Sequence, residues 1–185
     1  MIEILKNVLS ECEEYVNQLK KCPKGYFLYR GSHLQIGDCK LFTSRLDNRP
    51  PLNTPQHLHD AVNETFLSQF EWKIRNGVFC YGYTSLTDIP AGLGYGQQYL
   101  CFPVGRFTFI YSPDHFDLCG HFYQKQNKVT DDEIKRLVFK DDSIKDAIDT
   151  GNHKSGLSNE ISVNVPTYYL VDVIHRDILA NAIWT

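Results

Sequence analysis

The first quarter of the chain combines one helical pattern of apolar residues with two short apolar runs. Apolar side chains recur every three or four positions from Ile2 to Lys20, which predicts an amphipathic helix. The turn-forming sequence Cys22 to Gly25 follows and ends it. The apolar runs Tyr26 to Gly31 and Cys39 to Arg45 predict two strands, the first of them buried.

The middle of the chain predicts an irregular loop, a long helix and a strong strand. Two prolines and two asparagines exclude regular structure from Arg45 to Thr54. A helix is predicted from Pro55 to Asn76, with Thr54 as its N-cap and Gly77 as its stop. The run Val78 to Ser85 predicts a strand that ends in two hydroxyl side chains.

The second half predicts mostly strands. Tyr99 to Ser112 fits one or two strands, and Thr130 opens a helix with Glu133 completing a capping box. A small helix is predicted from Ser143 to Thr150, and two strands follow, at 160–165 and 168–174. Strands and helices do not alternate as βαβ units, so the pattern predicts an α+β fold with a curved, mostly antiparallel sheet. The 185 residues fit a single domain, with the N-terminal helix at 1–22 and the core at 26–185.

Composition and charge exclude several classes of function. The net charge of −3 provides no broad basic surface for a nucleic-acid backbone. The six cysteines form no CxxC pair, which argues against a zinc ribbon and favours reduced, buried thiols. We expect no metal site. No charged and apolar leader or membrane-length run is present, so we expect a cytoplasmic protein without membrane contact.

Polar side chains mark one end of three apolar strands that lie far apart in the sequence. Arg30 offers a planar fork for a phosphate, and Gly31 beside it lets a ligand approach the backbone. Thr84 and Ser85 can orient a substrate, and the carboxylate of Glu160 can stabilise developing positive charge. Taken singly, each has an ordinary interpretation: a surface ion pair, a turn or cap, and a solvated strand start.

The order of these motifs resembles the Arg–Ser–Glu class of ADP-ribosyltransferases, the cholera-toxin-like group. The sequence "YRG" looks like the first-strand arginine motif, "YTS" like the Ser-Thr-Ser motif, and "SNEISV" before "TYYLVDV" like the catalytic-glutamate strand and its partner. The resemblance implies a split sheet with NAD in the cleft. It makes Glu160 catalytic, and it gives Arg30, Gly31, Tyr83, Thr84 and Ser85 the role of holding NAD. The loop "RLDNRP" also resembles a loop of phage-encoded proteins, which would place the activity in the host cytoplasm during host takeover.

Two departures from this family pattern leave the acceptor open. Ser158 stands two residues before Glu160, where many members carry the Glu or Gln that selects the acceptor. Tyr83 replaces the first hydroxyl residue of the Ser-Thr-Ser motif. A protein, nucleic-acid or nucleotide acceptor, simple hydrolysis of NAD, and a non-catalytic module that binds NAD, an ADP-ribose derivative or a protein all remain open. Arg49 is interpreted as a loop residue paired with Asp47, and His59 as a surface residue.

Overall fold

The structure of the protein is a computed structural model that describes residues 3–51, 54–83, 96–112, 121, 132, 138–140, 143–151 and 160–185. Of the first residues of the predicted helix that begins at Thr130, only Asp132 is among these residues, and it is helical. No helix among them is long and apolar enough to cross a membrane.

Strands from both halves of the chain form one sheet, and every strand pairing among the described residues is antiparallel. The strands are β1 (Phe27–Ser32), β2 (Cys39–Thr43), β3 (Val78–Tyr83), β4 (Gln97–Pro103), β5 (Thr108–Tyr111), β6 (Val138–Lys140), β7 (Glu160–Asn164) and β8 (Thr167–Asp172). The order across the sheet is β2-β8-β4-β1-β3-β7-β5-β6. The α+β class and the antiparallel sheet predicted from the sequence are therefore confirmed.

The helices of the described residues pack against this sheet. The predicted helix at 143–150 is confirmed within two residues, as Lys145–Gly151, whereas the helix Arg176–Ile183 was not predicted. The helices are α1 (Glu3–Glu11), α2 (Glu13–Leu19), α3 (Gln56–Phe70), α4 (Lys145–Gly151) and α5 (Arg176–Ile183), with 3-10 turns at Ile74–Asn76 and Val173–His175.

Strand β1 joins the two halves of the sheet through different parts of its length. It pairs with β3 from Phe27 to Tyr29, but with β4 from Tyr29 to Ser32. At Leu28, where β4 is not yet paired, the backbone N–H donates to the Tyr15 hydroxyl at 2.8 Å. Strand β3 is therefore paired with β1 on one side of Tyr29 and β4 on the other. The Tyr15 side chain supplies the hydrogen-bond acceptor for the Leu28 N–H.

The predicted N-terminal helix is divided at Cys12 into the two helices α1 and α2. Its apolar stripe nonetheless packs into the main core, where Leu5, Val8, Tyr15 and Leu19 are all completely buried. The ring of Tyr15 makes an edge contact with Phe102 of β4 at 5.4 Å between centroids. The N-terminal segment is thus part of the core and not a detachable helix.

Helix α3 ends six residues earlier than the sequence predicts. Glu71 adopts a left-handed backbone with φ 56°, and its N–H closes the helix on the Leu67 carbonyl. Trp72 and Ile74 then turn back and are buried in a second apolar cluster with Val62, Phe66 and Ile110. Burial of these two side chains replaces the predicted last turns, and Pro55, not Thr54, occupies the N-cap position without a side-chain cap.

Helix α4 covers β3, which lies next to β1, and Trp184 at the end of α5 packs on β1 itself. A Cβ atom on Gly82 of β3 would come within 2.6 Å of the Ile148 Cα, so only glycine permits this close approach of α4. Behind α5, Trp184 packs edge-on against Phe27 at 5.4 Å. The strands that carry the candidate site residues are therefore held by helices from distant parts of the sequence.

Candidate functional site

The sheet order places two of the predicted site residues on nearby strands. Arg30 lies on β1 and Glu160 opens β7, with β3 between these two strands. Glu160 stands directly opposite Tyr81 of β3, and Tyr81 stands directly opposite Tyr29 of β1. Directly opposed residues share a face of a sheet, so the Glu160 side chain lies on the face that also carries the two tyrosines.

Arg30 occupies the point at which β1 leaves β3. The pairing of β1 with β3 ends at Tyr29, and its continuation would set Gly31 opposite Phe79. There the Arg30 Nη1 donates to the Phe79 carbonyl oxygen at 2.7 Å, and the guanidinium lies 5.9 Å from the Tyr168 ring centroid. Arg30 therefore supplies a hydrogen bond to the β3 backbone where β1 is no longer paired with it. The half-buried guanidinium lies at this gap between the strands.

The remaining predicted residues are placed only in part. Gly31 pairs with Gln98 of β4, and Tyr83 is the last residue of β3, opposite Phe27. Thr84, Ser85 and Ser158 lie outside the described residues. Because β3 and β7 are antiparallel, the chain after Tyr83 continues from the end of β3 that adjoins the start of β7.

Two further arginines, which the sequence did not single out as site residues, meet at Phe79 of β3. The guanidinium carbons of Arg49 and Arg75 each lie 4.6 Å from the centroid of its ring, within the range of cation–π attraction. Arg49 also donates through Nη1 to the Gly77 carbonyl at 2.6 Å. The interpretation of Arg49 as a surface partner of Asp47 is therefore not the arrangement seen.

The pKa of Arg49 is affected by its burial and by the charges around it. Burial, followed by the positive charges of Arg30 and Arg75, lowers the pKa of Arg49 to about 10. Tyr168 and then Glu160 oppose this shift more weakly. Burial is therefore the main cause of the shift, and the neighbouring arginines act in the same direction. We call Arg30, Arg49 and Arg75 the arginine cluster.

A network of buried amides fixes the two added arginines. Asn63 of α3 accepts from the Arg75 backbone N–H at 2.8 Å and donates to the Asn76 side-chain oxygen at 3.0 Å. Asn76 in turn donates to the Leu46 carbonyl at 2.6 Å. The proline-rich loop and the 3-10 turn before β3 are therefore both tied to α3, which holds their arginines over one strand.

His59 was interpreted as a surface residue, but the structure buries it, with 3% of the residue exposed. Its Nδ1 lies 3.4 Å from an Asp60 oxygen and 3.3 Å from the Asn63 amide, while its buried Nε2 has no hydrogen-bond partner among the described residues. Burial is the main cause that lowers the pKa of His59. The charges of Arg75 and Arg49 act in the same direction, against the hydrogen bond to Asp60. A neutral imidazole thus stands beside the arginine cluster.

Other features of the described residues add no competing centre. No group of His, Cys, Asp or Glu among them is arranged to hold a metal ion. A cavity of about 570 Å³ opens between Glu14 of α2 and Arg106 of the β4–β5 turn. Neither the arginine cluster nor Glu160 lines this cavity.

No known family model, curated protein or solved structure matches the chain.

Proposed function

We propose that this protein is a mono-ADP-ribosyltransferase, which cleaves NAD and transfers ADP-ribose to a protein, nucleic-acid or nucleotide acceptor. One observation supports the proposal: Arg30 and Glu160, which the sequence resemblance makes the NAD-binding and catalytic residues, both adjoin β3. Arg30 donates to the Phe79 carbonyl, and Glu160 stands opposite Tyr81.

In the proposed reaction, a positively charged side chain binds the phosphates of NAD and a carboxylate acts at the ribose. Arg30 binds the diphosphate of NAD, and Thr84 and Ser85 orient the ribose beside nicotinamide. The bond between ribose C1′ and the nicotinamide nitrogen breaks, and nicotinamide leaves with the electron pair. Glu160 binds the 2′-hydroxyl and stabilises the positive charge that develops on the ribose, as a carboxylate does in glycoside cleavage. The acceptor nucleophile then bonds to C1′ and loses a proton.

The burial of Glu160 suits this role. Only 7% of the residue is exposed, so water screens its charge less than at an open surface. A carboxylate that stabilises the transition state in such a site contributes about 3 kcal/mol, or about a hundredfold in rate. This value sets the effect that mutation of Glu160 should have.

The test is release of nicotinamide from NAD by wild type, Glu160→Gln and the control Glu64→Gln, whose side chain is exposed on α3. We expect Glu160→Gln to lose about a hundredfold or more in rate and Glu64→Gln to match wild type. Labelled NAD added with cell lysate identifies the acceptor by the protein or nucleic acid that retains the label.

Each alternative has its own outcome in this experiment. Nicotinamide release without labelled acceptor identifies an NAD glycohydrolase. NAD binding without turnover, equal in wild type and Glu160→Gln, identifies a binding module. Equal turnover by wild type and Glu160→Gln would refute the catalytic assignment of the carboxylate.

A further inference from the structure

The cavity of about 570 Å³ lies at the opposite end of β7 from Glu160. Asn164, the last residue of β7, lines it. The rise of a strand, about 3.4 Å per residue, sets Asn164 about 13 Å from Glu160. The volume of the cavity is within the range of sites that bind small organic molecules. It is therefore separate from the candidate NAD site and large enough to hold a ligand of its own.

Backbone hydrogen bonds fix the segments that form the walls of this cavity. Pro166 of the β7–β8 turn lines it, and the Pro166 carbonyl accepts from the Ser44 N–H at 2.8 Å. In the β4–β5 turn, Gly105 adopts a left-handed backbone with φ 68°, and its N–H donates to the Glu11 carbonyl at 3.3 Å. The Leu46 carbonyl accepts from a buried side-chain amide at 2.6 Å. The walls are thus held in place without a ligand, which lowers the cost of binding one.

One wall of the cavity is apolar. Phe107 lines it, and 3% of this residue is exposed. The Phe107 ring makes an edge contact with Tyr15 of the main core at 5.8 Å between centroids. Leu46 adds a half-buried aliphatic side chain to the lining. An apolar group of a ligand can therefore be buried against a surface that the core supports.

Two side chains of opposite charge also line the cavity, Glu14 of α2 and Arg106 of the β4–β5 turn. They form no ion pair with each other, and a ligand can reach both, since Glu14 is half-buried and Arg106 is exposed. Thr108 and Asn164 stand directly opposite each other on β5 and β7, so their side chains share a face. The cavity thus combines one negative group, one positive group, neutral hydrogen-bonding groups and an apolar wall.

We infer that this cavity binds a small zwitterion, with one ammonium, one carboxylate and an apolar side chain, as in a free aliphatic or aromatic amino acid. Glu14 binds the ammonium, and Arg106 binds the carboxylate, whose two oxygens match the planar guanidinium. Phe107 contacts the apolar side chain. A ligand with a single charge would be repelled by one of the two charged residues, so the cavity favours a molecule that carries both.

Binding of L-phenylalanine and L-leucine to the full chain, measured by calorimetry, tests the inference. The variants are Glu14→Gln and Arg106→Gln. The control is Glu13→Gln, whose side chain is exposed on α2 and does not line the cavity. We expect each of the two variants to raise both dissociation constants about tenfold or more, because a hydrogen bond between charged groups is lost. Glu13→Gln should bind as wild type does.

Two analogues assign each charge of the ligand to its residue. N-acetyl-L-phenylalanine lacks the ammonium and L-phenylalanine amide lacks the carboxylate, so each should bind wild type about tenfold or more weakly than L-phenylalanine. Glu14→Gln should not weaken binding of the N-acetyl analogue further, and Arg106→Gln should not weaken binding of the amide further. The reverse dependence would contradict the assigned orientation.

A further measurement on wild type alone covers the case in which a variant fails to fold. An arginine-specific dicarbonyl reagent is applied with and without L-phenylalanine, and modified residues are mapped by mass spectrometry. We expect L-phenylalanine to slow modification of Arg106 severalfold. Modification of Arg45, which is exposed and does not line the cavity, should be unchanged.

The outcomes are distinguishable from those of the proposed function. Absence of binding of both amino acids by wild type would overturn the inference, and so would binding that Glu14→Gln and Arg106→Gln leave unchanged. Unprotected Arg106 in the presence of L-phenylalanine would also count against it. Nicotinamide release from NAD tests a different site, so failure of either proposal leaves the other standing.

Discussion

Replacement of Tyr15 by phenylalanine tests the hydrogen bond that the Tyr15 hydroxyl accepts from β1 where β4 is not paired with that strand. The Tyr15 side chain is completely buried, and its hydroxyl accepts the Leu28 N–H at 2.8 Å. The phenylalanine ring keeps the packing of Tyr15 against Phe102 and Phe107. The substitution therefore removes one acceptor and very little apolar contact.

The energetic cost of this change comes from the Leu28 backbone N–H, which loses its hydrogen-bond acceptor. A buried N–H that loses its partner costs about 1 to 3 kcal/mol of folding free energy. Because β4 pairs with β1 only from Tyr29 onward, no strand carbonyl replaces the Tyr15 hydroxyl. We expect the free energy of unfolding to fall by this amount, and the melting temperature by about 2 to 4 °C per kcal/mol.

Urea unfolding followed by tryptophan fluorescence measures the effect, with Tyr169→Phe as the matched control. The Tyr169 hydroxyl donates to Glu11 at 2.8 Å in an exposed contact, so its loss should change stability by less than about 0.5 kcal/mol. An unchanged slope of the unfolding free energy against urea concentration would show that the substitution changed stability alone. If Tyr15→Phe also stays within about 0.5 kcal/mol of wild type, the Leu28 N–H has another partner and the reasoning is wrong.

Two further predictions concern the amide network beside the arginine cluster. Because the pKa of His59 is lowered in the folded state, the unfolded chain takes up its proton first, near pH 6.5. Wild-type stability should therefore decline from about pH 7 toward pH 5. In His59→Gln this part of the decline in unfolding free energy should be absent, and an identical pH profile would contradict the assignment. Asn63→Leu leaves the Arg75 N–H and Asn76 without their partner. It should lower the free energy of unfolding in urea by about 2 kcal/mol or more, and an unchanged midpoint would argue against the network.

The sequence predicted most strand positions but not the contacts that arrange the site. Apolar runs located the strands that carry Arg30 and Glu160, because buried strands leave a local pattern. The end of α3 at Phe70 had no local signal, since Glu71 adopts a backbone usually taken by glycine. It depends on burial of Trp72 and Ile74 against distant Ile110.

The arginine cluster was missed for the same reason. Arg75 fell inside the predicted helix, where it had no distinguishing feature, and Arg49 had an acidic neighbour that offered a simpler pairing. Their meeting at Phe79 depends on Asn63 and on the early end of α3, both of which are tertiary effects. The helix at 176–183 was likewise absent from the predictions, although Trp184 beyond it packs on Phe27.

The position of β8 in the sheet has a consequence for synthesis of the protein. This strand lies between β2 and β4, and it pairs Cys39 with Val171. A chain emerging from the ribosome therefore lacks an interior strand until residue 172 has been made. Pairings between such distant segments slow folding and leave unpaired strand edges open to other chains. We expect β2 and β4 to be joined through β8 only after translation has passed residue 172. Chains truncated before β8 should aggregate.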